Sequence, residues 1–334
     1  MEDGVREREK ASVLERWMNE KDIGTAPHVA LYLLSLVYGA AVKLRLFLYG
    51  TGLLKSEKLP CKVVSVGNIT VGGSGKTPVT IYIASRLREK GMKVAILSRG
   101  YGRSSKGVKV VSDGERVLLG PEEAGDEPCL MAERLEGVPV IVGEERVRSG
   151  RLAIERFSPD VLLLDDGFQH IKIERDVNLL LLDSKRGFGN GFLVPRGVLR
   201  EPVNAVARAD IVMVKGDGPD NPPAAELKKP VIKFSYNPTG LVEVKSDTRT
   251  GVERLNGKRV LAVAGIAEPG SFLETLREAG AEVVGYLAYP DHHRYTPAEM
   301  KEIEDASQGA DIVVTTGKDA VKLKPLCGAG ISVW

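Results

Sequence analysis

Val66-Gly67-Asn68-Ile69-Thr70-Val71-Gly72-Gly73-Ser74-Gly75-Lys76-Thr77-Pro78 is the stretch on which the reading of this chain turns. A short β-branched run, residues 62–66, leads into it, and a segment of helical spacing, residues 78–90, leads out. A Gly-rich loop between a strand and a helix is the setting in which a Gly-Lys-Thr ending cradles phosphate. Gly72, Gly73 and Gly75 let the backbone turn its N–H groups inward, Lys76 reaches the β- and γ-phosphates, and the Thr77 hydroxyl binds magnesium. Two positions are irregular. Thr70 stands where the general pattern has glycine, and Pro78 follows Thr77. The proline agrees with a helix start, because N–H groups of the first turn have no intrahelical partner. Residues 70–77 are therefore read as a nucleotide-phosphate loop, against the plainer alternative of a Gly-rich turn.

Such a loop needs a carboxylate at the end of a neighbouring strand to help hold the metal. Val161-Leu-Leu-Leu-Asp165-Asp166-Gly167-Phe168-Gln169-His170 supplies two, and either Asp165 or Asp166 can serve. Other polar clusters also follow apolar runs. Ser98-Arg99-Gly-Tyr101-Gly-Arg103 offers two arginines for phosphate and a tyrosine for a sugar or acyl contact. Ala124-Gly-Asp126-Glu127-Pro128 carries paired carboxylates, for catalysis or for capping a helix. Pro195-Arg-Gly-Val-Leu-Arg200-Glu201-Pro202 is a basic turn whose arginine can stabilise charge on a transferring phosphoryl group, or simply be solvated. Asp291-His292-His293 can bind metal, although no third ligand accompanies it, or pair a carboxylate with an imidazole for acid/base work. Thr315-Thr-Gly-Lys318-Asp319 can read a nucleotide base or begin a helix.

The bulk numbers set the frame. The 334 residues suit one large or two moderate α/β domains, and a net charge of +2 argues against a broad nucleic-acid surface. Cys61, Cys129 and Cys327 are far apart and form neither a CxxC nor a Cys/His ligand spacing, which disfavours disulfides and zinc. Residues 1–22 are charged and mixed in sign, unlike a secretory signal. Residues 28–50 are mostly apolar, but Lys43 and Arg45 interrupt the run before it reaches the roughly 20 residues of a spanning helix. An in-plane or partly inserted membrane helix is one reading, and a buried helix of a soluble core is the other.

From residue 62 onward strand-like and helix-like segments alternate, which predicts an α/β fold with mostly parallel sheets. Strands are expected at 62–66, 93–98, 138–142, 161–164, 177–183 and 211–215, with helices at 78–90, 127–135 and 146–156. Residues 216–230 are rich in Pro, Gly and charge and mark a boundary. Residues 231–236 and 241–244 are expected to pair as a hairpin around Asn237-Pro-Thr-Gly240. A second α/β rhythm follows to the end, where Ile331-Ser-Val-Trp334 reads as the start of a strand, so the natural chain is expected to continue.

Taken together, GNITVGGSGKTP, SRGYGR, GDEP, DDGFQH, the PRGVLRE turn, YPDHH and TGKDAVK resemble the tetraacyldisaccharide 4′-kinase family, the lipid A 4′-kinases of Gram-negative envelope biosynthesis. The resemblance runs in order over most of the chain and includes a preceding apolar helix. It implies two α/β/α sandwich lobes, the first P-loop NTPase-like, joined by a two-stranded β linker. The corresponding segments are 1–55 (membrane-associating helix), 56–230 (kinase domain) and 231–334 (second lobe with the hairpin at its start). It implies transfer of the ATP γ-phosphate to the 4′-hydroxyl of a tetraacylated glucosamine disaccharide 1-phosphate, with Mg2+.

On the matching positions the resemblance makes Asp126, His292, Lys76, Arg200 and Asp166 catalytic. Thr70, Val71, Gly72, Gly73, Ser74, Gly75, Lys76, Thr77, Lys318 and Asp319 would bind nucleotide, and Thr77, Asp165 and Asp166 the metal. Asn68, Arg99, Tyr101, Glu127, Gln169, His170 and Glu201 would contact the lipid substrate. The implied location is the cytoplasmic face of the bacterial inner membrane, with no nucleic acid and no obligate protein partner. One departure is Gly317, where family members commonly carry Glu before Lys-Asp. A nucleotide switch of the P-loop GTPase or metallochaperone type is the competing reading.

Overall fold

Two parallel sheets carry the chain. The computed structural model describes residues 26–73, 75–216, 229–267, 269–328 and 331–334; Ser74 and most of the expected 216–230 boundary lie outside the described residues. The first sheet is built from β1 (Lys62–Gly67), β2 (Val94–Ser98), β3 (Lys109–Ser112), β4 (Val140–Val142), β5 (Val161–Asp165), β6 (Val177–Asp183), β7 (Ile211–Lys215) and β8 (Val231–Phe234), in the order β3-β4-β2-β5-β1-β6-β7-β8. Every neighbouring pair is parallel except the β3 edge, which runs antiparallel to β4. Strands β2 and β5 are buried along their whole length, as their unbroken apolar runs require of a sheet covered on both faces.

Alternation along each strand divides the core. Ile96, Val140 and Leu163 pack with Ala84 of α2 (Lys76–Glu89) and with Met131, beyond the short α3 (Pro121–Ala124), in α4 (Asp126–Arg134). Ala95, Leu97, Ile141, Leu162 and Leu164 face the other way, onto Ala153 of α5 (Arg146–Phe157). The chain passes from β1 to one side of the sheet first and returns to the other side at β6. The 70–76 loop leaves β1 at this reversal, where a crevice opens at the carboxyl ends of the strands.

A linker differs from the expected hairpin. Residues 231–236 and 241–244 do not pair with each other. Strand β8 extends the first sheet beside β7, while β9 (Leu241–Val242) pairs antiparallel with β10 (Arg249–Thr250). The reason is burial: beside β7, Phe234 packs with Leu179, Leu181, Ile211 and Met213. The first sheet thus ends at Phe234, beyond the boundary expected at 230.

The second sheet has the order β12-β11-β13, formed by β11 (Arg259–Ala264), β12 (Glu282–Ala288) and β13 (Ile312–Thr315), all parallel. Leu261, Val263 and Val313 pack against α7 (Pro297–Ala306) and α8 (Gly317–Leu323), while Val260, Ala262, Ile312 and Val314 pack with Leu276 of α6 (Pro269–Glu278). Each sheet is therefore the middle layer of an α/β/α sandwich. Val333 bridges Val313 in parallel, in keeping with the strand-like ending.

The amino-terminal helix α1 (Ala26–Gly50) is not a core helix. Its docked stripe is narrow and small or polar: His28, Ser35 and Gly39 are buried, with Tyr32 between them at helical spacing. Tyr32 meets Phe192 edge-on, and the backbone at Gly39 comes so close that a Cβ would lie 2.8 Å from Leu193. Val29, Leu33, Leu34, Leu36, Val37, Leu44 and Phe47 point away from the protein and are exposed. A soluble core helix buries its apolar face and shows its polar one; α1 does the reverse. By length and composition it can cross a membrane, with 11% of its most apolar window buried.

Candidate active site

The phosphate loop is held from both sides. Gly75 is left-handed (φ 75°) and α2 begins at the next residue, Lys76. A Cβ on Gly75 would run into the hydroxyl of Tyr236, which donates to the Gly75 carbonyl at 2.6 Å. On the other side the basic turn pairs with the loop: Val71 N–H donates to Val198 O and Arg200 N–H to Ile69 O, each at 2.7 Å. At the root of the loop, a Cβ on Gly67 would lie 2.7 Å from the Cβ of Phe168, so only glycine lets β1 and the Asp166–Phe168 turn meet. Gly75→Ala adds a clash to about 1–2 kcal/mol of left-handed strain. Its ATP dissociation constant, measured by calorimetry, is expected to rise at least about tenfold, while Gly91→Ala, facing open space at φ 81°, leaves it unchanged.

The two aspartates at the end of β5 differ in surroundings. Asp166 is itself left-handed (φ 49°), a strained conformation for a non-glycine residue that aims its carboxylate at the crevice. Arg200 Nη1 donates to both its oxygens at 3.0 and 2.8 Å, and Lys76 Nζ lies 3.7 Å away. Burial would raise the Asp166 pKa, but Lys76 and Arg200 outweigh it and hold the group below the ordinary carboxylate value. Asp165 faces inward and accepts from Ser98 Oγ (3.0 Å) and Thr80 Oγ1 (3.3 Å). Burial, with the carboxylates of Glu127 and Asp166 nearby, pushes its pKa up to about 7.

The carboxylate oxygens of Asp165 and Asp166, with the Thr77 hydroxyl at the start of α2, are hard donors of the kind that suits a divalent cation. Among the described residues no group of three or more His, Cys, Asp or Glu forms a metal cage. The fit is to magnesium, which draws most of its ligands from phosphate and water.

Asp126 and His292 come together across the two sandwiches. Nδ1 of His292 lies 3.0 and 3.1 Å from the two oxygens of Asp126, which opens α4 at the edge of the first lobe. His292 is left-handed as well (φ 60°). Burial would raise the Asp126 pKa; the hydrogen bond from His292 and the charges of Lys318 and Lys322 lower it below its ordinary value. The hydrogen bond to Asp126 raises that of His292, against burial. His292 is committed to Asp126, and Asp291 is taken by Lys318 at 3.0 Å, an arrangement that suits acid/base chemistry.

Tyr101 is exposed and its ring centroid lies 5.0 Å from that of His292. Arg99 is exposed nearby, but Arg103 is spent on its own loop, on Glu144 and the Gly107 carbonyl, each at 2.6 Å. Glu127 lies 3.5 Å from Lys318. Asn68 is fully buried; its carbonyl accepts from Gln169 Nε2 at 2.7 Å, so this pair ties the phosphate loop to the DDGFQH turn. His170 stands beside it, its pKa pushed down to about 4 by burial and the surrounding cations.

Glu201, expected at the substrate, is buried and paired with Arg208. Asp319, expected at the nucleotide, is fully buried, accepting from Gly265 N–H at 3.0 Å and Thr316 Oγ1 at 2.7 Å and paired with Lys322 at 2.9 Å. Lys318 faces the Asp126–His292 pair.

Three residues of the site were not singled out in the sequence. Arg146 is buried at the start of α5, donating to Gly143 O (2.9 Å) and Asp165 O (3.3 Å), with burial lowering its pKa to about 10. Its signal was the Gly-Glu-Glu-Arg turn after an apolar strand. Lys322 and Tyr236 carried no local signal.

Residues 27–334 match the family model described as tetraacyldisaccharide-1-P 4′-kinase. A tetraacyldisaccharide 4′-kinase of Syntrophus aciditrophicus is 44% identical over 316 residues, covering 89% of this chain and 84% of that one. A protein of the same description from Pelobacter propionicus is 46% identical over 295 residues, covering 86% and 81%. Among solved structures, the "apo" form of LpxK from Aquifex aeolicus in complex with ATP is 37% identical, with a TM-score of 0.74, covering 92% of this chain and 93% of that one.

Proposed function

The chain belongs to the tetraacyldisaccharide-1-P 4′-kinase family and is a kinase; on that premise we propose how its residues divide the work. The reaction moves the γ-phosphoryl of ATP to the 4′-hydroxyl of a tetraacylated glucosamine disaccharide 1-phosphate. A sugar hydroxyl is a poor nucleophile at neutral pH, so positioning and charge stabilisation dominate, with a base to take the proton. Asp126 is that base. It is ionised across the neutral range, and His292 holds it from the opposite lobe.

Residues 70–77 cradle the phosphates, and Lys76 and Arg200, which converge on Asp166, neutralise the charge that develops on the γ-phosphoryl oxygens. Thr77, Asp165 and Asp166 would hold Mg2+, whose contribution when bound is to spread phosphate charge. Tyr101 borders the dyad, and with the exposed Arg99 it is read as a contact for the sugar or its phosphate. Because Asp126 and His292 lie in different lobes, the pair is complete only when the lobes are closed, which limits transfer to water.

Helix α1 places the acyl chains. Its exposed apolar face lies in the cytoplasmic leaflet of the inner membrane, where the lipid substrate resides, and its docked stripe reaches the site: Tyr38 Oη donates to Arg200 O at 2.8 Å and Arg45 Nη2 to Gln169 O at 2.9 Å. The guanine-nucleotide switch is not favoured, since it rested on a base-reading Asp319 that is buried.

The observation that carries the proposal is the Asp126–His292 contact beside a phosphate loop. The test is direct: incubate the protein with γ-labelled ATP and tetraacyldisaccharide 1-phosphate and look for label on the lipid. Label is expected on the 4′-position; ATP hydrolysis with an unlabelled lipid would refute the acceptor.

A further inference from the structure

Lys318 lies in the first turn of α8, a helix whose start is fixed by Thr316, its side chain accepting from the Asp319 N–H. Its Nζ is 3.2 Å from Nε2 of His292 and 3.0 Å from Oδ1 of Asp291, with Glu127 at 3.5 Å and Asp126 at 3.8 Å. An ammonium has only donors and a carboxylate only acceptors. A neutral imidazole between the two has one arrangement that satisfies both: Nε2 accepts from Lys318, and Nδ1–H donates to Asp126. The other tautomer would oppose two N–H groups on one side and two lone pairs on the other.

We propose that Lys318 is a positioning residue of the phosphoryl transfer, selecting the Nδ1–H tautomer of His292 and thereby assigning the base to Asp126 instead of the imidazole. The inference rests on Asp126 and His292 being the catalytic pair. Its consequence concerns the proton. As the acceptor oxygen bonds to phosphorus and the bond to the departing ADP breaks, the hydroxyl proton passes to the Asp126 carboxylate. The Nε2 lone pair is covered by Lys318, and Nδ1 already carries hydrogen, so the ring is not a second acceptor.

The charges act in the same direction. The hydrogen bond to Asp126 raises the His292 pKa, while burial and then the Lys318 charge oppose it. Lys318 stays charged: burial would lower its pKa, but Glu127, Asp126 and Asp291 together raise it. The groups around the pair are Asp126 and Glu127 on α4, Asp291 beside His292, Lys318 and Lys322 on α8, and the ring of Tyr101.

The experiment is nitrogen NMR of histidine-labelled protein, with His292→Ala identifying the His292 resonances among the four histidines, run beside the transfer assay on wild type, Lys318→Met and Lys318→Arg. Wild type is expected to show the Nδ1–H form once the ring is neutral. Lys318→Met should lose that preference and titrate at higher pH. Its kcat should fall about tenfold or more, part of what a general base contributes, with the KM for ATP within about twofold. Lys318→Arg, which keeps a charged donor, should recover part of the rate.

An Nε2–H tautomer in wild type overturns the proposal. So does a Lys318→Met protein whose His292 spectrum and titration match wild type. A raised KM for ATP at unchanged kcat also overturns it and returns Lys318 to nucleotide binding. Full activity in His292→Ala or Asp126→Asn would instead remove the catalytic pair itself, and the spectra would then report a structural clamp without catalytic consequence.

Discussion

Asp126→Asn is expected to lower phosphoryl transfer to the lipid by about 10²–10⁴-fold, the range that a positioned general base supplies. Binding of ATP should be unaffected, because the carboxylate lies in the interlobe contact and not in the phosphate loop. The amide keeps the shape and accepts the Nδ1–H bond through its oxygen, so the lobes still meet, but it does not take a proton from the acceptor. Single-turnover transfer of labelled phosphate separates this from a binding defect: kcat should fall with the KM for ATP unchanged. Near-normal turnover in the variant would dismiss Asp126 as the base.

The pH profile of the wild-type protein belongs to the same prediction. The Asp126 pKa is lowered from 3.8, despite burial, by His292 and the lysines, so the carboxylate is ionised across the working range. The His292 pKa is raised from 6.5 by its bond to Asp126. Imidazolium would bind the carboxylate as an ion pair and blunt its basicity. The rate should therefore climb as pH rises through a value above 6.5, not through the ordinary carboxylate value. Stability of the contact runs the opposite way. The raised His292 pKa stabilises closure fully below 6.5, and that part is lost as pH rises through the raised value; the Asp126 part is present above 3.8 and lost as pH falls through the lowered one. Closure is tightest between those limits, and transfer is fastest above them.

What was legible in the sequence follows from range. Strands β1, β2, β5 and β6 declared themselves as apolar runs, because periodicity is local. The phosphate loop, the Asp165–Asp166 pair, His292 and Lys318 were legible because each lies at or after a strand end, where an α/β sheet presents its loops. Pairing and partner choice were not. Strand β8 looked like half of a hairpin until the open edge of β7 and the pocket for Phe234 were known. Thr316 and Lys322 are local partners of Asp319, but nothing local shows that the Gly265 N–H also donates to it. Lys318 belongs with Asp126 only because two lobes close, a juxtaposition across nearly two hundred positions of chain that no local pattern encodes.

Helix α1 carries the second large effect, and its two faces separate two functions. Replacing Leu33, Leu34, Val37 and Leu44, all exposed, by serine removes apolar surface that only lipid would cover. At about 1.5–3 kcal/mol for each side chain buried, four substitutions remove on the order of 6 kcal/mol or more of membrane affinity. That is about four powers of ten in partitioning. Vesicle sedimentation should move the variant from the pellet to the supernatant, while transfer to a detergent-dispersed acceptor persists. Substitutions on the docked stripe should do the converse. Tyr38→Phe and Arg45→Ala each remove one hydrogen bond to a site carbonyl, from Arg200 and from Gln169, worth about 1 kcal/mol. They should slow transfer by severalfold and leave sedimentation unchanged, since neither belongs to the exposed apolar face. If the serine variant pellets like wild type, α1 is not the anchor. If the stripe variants transfer normally, the helix does not position the basic turn and the DDGFQH loop. Both results as expected would mean that one helix holds the enzyme on the lipid surface and sets the arginine that meets the phosphate.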